Sequence, residues 1–226
     1  MRKLILALAM LSLPPTTSAQ VEVQVGLPSA ALGIEQPSFP RMVAVAGHPV
    51  YYASSGNSNY FFYDGMYWVY RQDSWYASSW YDGPWTRVAP VGVPSLLLCV
   101  PVRFYRHPPA YFRGWSQDAP PRWDEHWGRA WIRERAGWGD RDRGITPPAA
   151  PLPVYQRQYA GNRYPHPELQ QALQKQNYHH QPGDPAVRKA YAAQGPHHGL
   201  PPSRQSSLPS PRAERGMANP HDDETR

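Results

Sequence analysis

A chain of 226 residues has room for one ordinary domain, or a small domain with appendages, and its 28 prolines exclude a uniformly packed architecture. The formal charge of +6 falls to +4 without Arg2 and Lys3, too mild an excess to argue for a polyanionic partner by itself. All nine tryptophans lie between Trp68 and Trp138, whereas residues 139–226 hold half of the prolines, so the composition shifts near Gly144.

The chain opens as a secretory signal does. Arg2 and Lys3 precede an apolar run from Leu4 to Leu13, and Thr17-Ser18-Ala19 offers the small residues that a signal peptidase reads. Ten such residues make about 15 Å of helix, half of a hydrocarbon core of about 30 Å. The expectation is a signal peptide over 1–19 and export to the periplasm or outer envelope. No cysteine follows the apolar run to carry a lipid, and no later stretch approaches the length of a membrane span. The mature chain is therefore expected to have no transmembrane segment. Export argues against nucleic acid as a partner and leaves anionic envelope material as the more accessible target.

Residues 20–38 read as a linker. Val21-Glu22-Val23-Gln24-Val25 alternates as a short strand would, and the small residues Pro28 to Gly33 follow it. Strand signals become dense from Met42: Met42–Ala46, Val50–Tyr52, Tyr60–Tyr63, Tyr67–Arg71, Trp75–Tyr81 and Trp85–Val88. Asp64-Gly65 and Asp82-Gly83, 18 residues apart, sit between aromatic runs, and glycine accepts the positive φ that a two-residue hairpin turn demands. Two tandem hairpins predict a β-meander. Tyr60 to Tyr63 and Tyr67 to Tyr70 are apolar on both faces, which requires either cover on both sides or an exposed aromatic platform.

Prolines 94, 101, 108 and 109 predict an extended connector with one short helical turn at Ser95–Cys99. Cys99, the only cysteine, excludes an internal disulfide, and its apolar setting predicts a buried, inert thiol. A helix is predicted over about 121–137: Trp123, Trp127, Ala130, Trp131 and Trp138 fall within an arc of about 100°. Asp118 is the expected cap, Glu125 and Arg129 form an i,i+4 pair, and Gly137 and Gly139 stop the helix.

From residue 144 onward proline, glutamine, histidine and serine dominate, predicting a disordered tail over 144–226 with a marginal helix at Pro167–Gln176. The expected fold class is α+β: a small antiparallel meander of about four to six strands, one Trp-faced helix packed on it, and that tail. The globular part spans 39–143.

The chemistry-bearing residues form no known mechanism. His179-His180 and His197-His198 are adjacent pairs without the spacing of a tetrahedral metal site, and His166 stands apart. Asp124, Glu125 and His126 are consecutive, so on a helix they diverge by about 100° per residue. Nucleophile-elbow, zincin, Walker and dinucleotide motifs are absent. No catalytic residue, metal site or cofactor is assigned, and a non-enzymatic role is expected. The aromatic density allows two readings: a core packed with large side chains, or a glycan-binding platform of Tyr60, Tyr67, Trp75, Trp80 and Trp85.

Tyr63-Asp64-Gly65 through Trp85, Val91 to Tyr105, and Pro120-Pro121-Arg122-Trp123-Asp124-Glu125-His126-Trp127-Gly128 together resemble a group of exported Tyr/Trp- and Pro-rich proteins of Gram-negative bacteria. The resemblance rests on a W-Y-x-x-x-x-Y-x-G-P-W core followed by P-P-x-W-D-x-H-W-G. It implies export and a periplasmic or envelope setting, and no activity. The expected role is a structural or interaction module whose partner is an envelope protein or a cell-wall or envelope glycan. An envelope hydrolase is the third reading, and the oligomeric state is not encoded in any pattern here.

Overall fold

The computed structural model describes residues 26–34, 36–137 and 146–194. Its centre is a six-stranded antiparallel sheet in simple sequential order, with strands β1 (Met42–Ala44), β2 (Val50–Ala53), β3 (Asn59–Tyr63), β4 (Met66–Arg71), β5 (Ser74–Ser78) and β6 (Thr86–Val88). Among the described residues four α-helices join it, besides short 3-10 turns: α1 (Ser95–Leu98), α2 (Trp123–Glu134), α3 (Pro167–Asn177) and α4 (Pro185–Ala193). The α+β class and the meander are as the sequence predicts. The alternating segment Val21–Val25 and the signal-like residues 1–19 lie outside the described residues, as do Trp138 and residues 195–226.

Two tight turns set the register. Asp64-Gly65 links β3 to β4 with φ of 47° and 91°, so Tyr63 faces Met66 and Phe61 faces Trp68. Gln72-Asp73 links β4 to β5 with φ of 48° and 57°, a left-handed pair built without glycine. The other Asp-Gly does not make such a turn. The β5–β6 ladder closes at Ala77 opposite Thr86, and residues 79–85, with a cis Gly83–Pro84 bond, form a longer loop. Pro84 has no N–H to give to a ladder, and Trp85 pairs instead with Leu27 through two backbone hydrogen bonds of 2.8 and 2.9 Å.

Both faces of the sheet are covered. On one, Phe61, Tyr63, Trp68, Tyr70 and Trp75 pack with Leu97 and Leu98 of α1, Trp123 and Trp131 of α2, and Val187 and Ala190 of α4. On the other, Tyr60, Phe62, Tyr67 and Val69 pack with Leu32, Ile34 and Ala150, and with the partly buried Tyr164 and Tyr178. Side chains alternate along a strand, so two aromatic residues in succession feed two separate cores.

α2 departs from the expected continuous helix. Gly128 has φ 71° and ψ −170°, which breaks the run into two helical pieces. Trp123 and Trp127 stack with centroids 4.4 Å apart, and Trp127 reaches Trp131 at 5.0 Å, but Ala130 turns outward to solvent. Arg122, not Asp118, occupies the cap position, and its side chain makes no capping hydrogen bond. Asp118 pairs with Arg103, and Glu125 with Arg122 at 3.4 Å rather than with Arg129. Gly137, at φ 78°, follows the helix as expected. Cys99 caps α1 and is half-buried rather than fully buried.

The largest correction concerns the expected tail. Residues 146–194 fold back along the sheet as a strap, with α3 and α4 in regular helical form and Gln156, Gln170, Gln174, Val187 and Ala190 buried. The composition of this stretch suggests too little apolar surface to fold. Besides Val187 and Ala190 it buries amide: Gln156 and Gln170 bond to the backbone of the loop after β5, and Gln174 to Tyr155 and Gln156. Among the described residues no helix is long and apolar enough to cross a membrane.

Candidate functional site

The five residues of the aromatic platform are not on the surface. Tyr60, Tyr67, Trp75, Trp80 and Trp85 are all between 0 and 3 % exposed. Tyr60 Oη donates to the Tyr81 carbonyl, Trp80 Nε1 donates to the Gln170 carbonyl at 3.1 Å, and Trp85 Nε1 donates to Ser29 Oγ at 2.8 Å. Trp75 packs against Phe61, Tyr70 and Trp123, and Tyr67 against Tyr60 and Phe62. Trp75 belongs to one core, Tyr60, Tyr67 and Trp85 to the other, and Trp80 is buried against Tyr155, Tyr159 and Tyr164, so the platform reading is corrected for these residues.

The polar groups concentrate at the two ends of the meander, one at each tight turn. At the first, Asp64 Oδ1 accepts from His180 Nε2 at 2.7 Å, and Oδ2 accepts from the Asp184 backbone N–H at 2.7 Å. Asp184 in turn accepts from Tyr63 Oη at 3.1 Å and caps α4 through the Ala186 N–H at 2.8 Å. The strap passes from one face of the sheet to the other around this turn, since Tyr178 packs on one side and Val187 on the other. Gly65 admits the close approach: a Cβ there would stand 3.0 Å from His180 Cδ2.

At the second turn Asp73 Oδ1 accepts from Tyr70 Oη at 2.5 Å, from His126 Nε2 at 2.6 Å and from Tyr111 Oη at 3.1 Å. The His126 ring lies flat on Tyr111, with centroids 4.0 Å apart and 6° between planes. Burial pushes the Asp73 carboxyl up, and the hydrogen bonds from Tyr70, His126 and Tyr111 outweigh that, leaving it below its ordinary value. Burial first, and the Asp73 contact after it, pushes the Tyr70 hydroxyl far above the usual tyrosine range; Tyr111 is also raised, by burial.

An imidazole held by a carboxylate resembles half of an acid/base relay. Here the hydroxyls within reach of the same carboxylate, those of Tyr70 and Tyr111, are both raised above the ordinary tyrosine value, by burial first. Through these bonds Asp73 links α2 and the 110–112 turn to the β4–β5 hairpin. His126 was expected on the polar flank of an aromatic stripe, and it does flank Trp123 and Trp127, with Asp73 as its partner.

A third set of contacts joins the strap to the loop after β5. Gln194 donates Nε2 to the Ala77 carbonyl at 2.8 Å and accepts from the Ser79 N–H at 2.9 Å. Gln156 donates to the Ser79 carbonyl at 3.0 Å and accepts from the Tyr81 N–H at 3.3 Å. A primary amide presents an N–H donor beside a carbonyl acceptor, as a peptide does, so two glutamines take over from β6 beyond Thr86. Nothing in the sequence pattern marked these residues, because each bond spans more than 70 positions.

Among the described residues no group of three or more His, Cys, Asp or Glu is placed to hold a metal ion, and His197-His198 lie outside them. No protein-family model, curated protein or solved structure matches this chain.

Proposed function

We propose that this chain is an exported protein of the bacterial periplasm or outer envelope, serving there as a non-enzymatic structural or interaction module. Export rests on the signal-like first 19 residues, and the envelope setting on the resemblance to exported Tyr/Trp- and Pro-rich proteins. The observation that carries the module reading is the commitment of Asp64, Asp73, His126 and His180 to fastening cover onto the sheet. Side chains that resemble acid/base chemistry in the sequence act as joints, giving a rigid scaffold with a strap around it. Its partner is an envelope protein or an envelope glycan.

Fractionation of cells carrying the native gene tests the address, and in-cell cross-linking tests the role. The expected result is release with the periplasmic or outer-envelope fraction, a mature amino terminus at Gln20, and cross-links to an envelope component. Retention in the cytoplasm with an intact Met1 overturns the reading.

A further inference from the structure

The strap forms a cleft of about 470 Å³ between α3 and α4, with Gly65 of the β3–β4 turn beneath it. That size falls in the range of small-molecule sites, about 300–1,000 Å³. Helical spacing builds the walls: Gln174, Lys175 and Tyr178 come from the end of α3, and Arg188, Tyr191 and Ala192 lie one turn apart on α4. His179 and His180, in the crossing segment, complete the lining.

The charge is one-sided. Lys175 and Arg188 line the cleft beside two histidines, and among the described residues no carboxylate does. Arg188 Nη1 donates to the Pro182 and Gly183 carbonyls at 3.3 and 2.6 Å, which fixes the guanidinium on the rim against neutral partners. Its charge is therefore oriented, and no ion pair takes it up among the described residues. Asp64, just outside, is occupied by His180 and the Asp184 N–H. Tyr178 and Tyr191 are partly exposed there, in contrast to the buried aromatics of the sheet. Tyr178 is held by its hydroxyl on the Pro151 carbonyl at 2.6 Å.

We propose that this cleft binds an acidic saccharide, a sugar ring carrying a phosphate or carboxylate. Lys175, His179 and Arg188 meet the anion, the tyrosine rings take the apolar faces of the sugar, and Gln181 is within the lining for its hydroxyls. The inference deepens the envelope-module reading and rests on it for the source of such sugars.

The test uses the full mature chain and four probes: glucose 1-phosphate, glucuronic acid, glucose and inorganic phosphate, titrated by calorimetry and by amide NMR. Glucose 1-phosphate, glucuronic acid or both are expected to bind at least about tenfold more tightly than glucose or phosphate. Their shifts should centre on residues 174–192, and affinity should fall as salt rises. Whichever acidic probe is tighter tells phosphorylated from carboxylated sugars. The double variant Lys175→Gln, His179→Gln should lose about fivefold or more in affinity while melting as the wild type does. Equal binding of glucose, phosphate alone binding as tightly as glucose 1-phosphate, no binding at about 10 mM, or an unaffected double variant each overturns the site. Cross-links to an envelope component without acidic-sugar binding sink the cleft and leave the module; sugar binding by a cytoplasmic protein does the reverse.

Discussion

Asp64 and His180 stand 116 positions apart in the chain and 2.7 Å apart in space, carboxylate oxygen to imidazole Nε2. Their side chains are 12 and 21 % exposed, so the contact is shielded enough to matter energetically. It closes the strap over the β3–β4 turn. Asp64→Asn keeps a residue that tolerates the left-handed backbone of that turn but removes the charge from two hydrogen bonds. Limited proteolysis within residues 178–184 should then run about tenfold faster, an opening eased by about 1.4 kcal/mol. Asp73→Asn, at the opposite end of the meander, should leave that cleavage unchanged. Equal rates for wild type and Asp64→Asn would show that the strap is held elsewhere.

Gln156 is fully buried and serves the backbone of the loop after β5 in both directions, with Oε1 on the Tyr81 N–H and Nε2 on the Ser79 carbonyl. Gln156→Leu matches its volume and strands both groups. Leaving a buried donor or acceptor unmade costs about 1–3 kcal/mol. Urea unfolding should show a midpoint lowered by about 2 kcal/mol of stability, whereas Gln158→Leu, on the exposed side of the same segment, should stay within about 0.5 kcal/mol.

Gln156 also shows where sequence reasoning stopped. β-branched and aromatic runs and Asp64-Gly65 carry local information, enough to locate all six strands and the β3–β4 turn. Asp82-Gly83 carries the same local signal, yet Pro84 and the Leu27–Trp85 pairing override it. Glutamine has no pattern of its own: an amide that completes a distant strand looks identical to one facing water. Hence residues 146–194 read as a tail, and α2's stripe read as continuous although Gly128 interrupts it. The aromatic runs are legible but ambiguous between core and platform, because cover for the second face comes from Leu32, Ile34 and the strap, all distant in the chain. The two histidine joints were visible only as His126 and His180, without the aspartates that hold them.

Tyr67 and Tyr60 lie side by side in the second core, with ring centroids 5.7 Å apart, but their hydroxyls differ. Tyr60 donates to the Tyr81 carbonyl, while Tyr67 Oη is buried with no hydrogen-bond partner among the described residues. Tyr67→Phe therefore removes a desolvated polar group and should be neutral or stabilising by about 1 kcal/mol, raising Tm by about 2–4 °C. Tyr60→Phe should instead lower Tm by a similar amount, having lost a made bond. Calorimetric melting of the two variants side by side checks the sign; a destabilised Tyr67→Phe would mean that its hydroxyl is satisfied.

Burial is the first cause raising the hydroxyls of Tyr60, Tyr63, Tyr67, Tyr70 and Tyr105, and it pushes Tyr81 up to about 12, with the charge of Asp82 adding to it. Unfolded tyrosine titrates near pH 10. A group whose folded pKa lies above its unfolded value holds its proton more tightly in the native state. Its contribution is fully present below about pH 10 and is lost as pH rises through the folded value. The protein should therefore keep its neutral-pH stability up to about pH 10 and lose it steeply above, with several tyrosines acting together. Tyrosinate absorbance should rise in the same transition that abolishes near-ultraviolet circular dichroism, because the buried rings ionise on unfolding. Tyr81→Phe should move that transition to higher pH, having removed one of the groups that ionises with it. Smooth titration of these rings near pH 10 in a protein that stays folded would mean that the two aromatic cores are open to water.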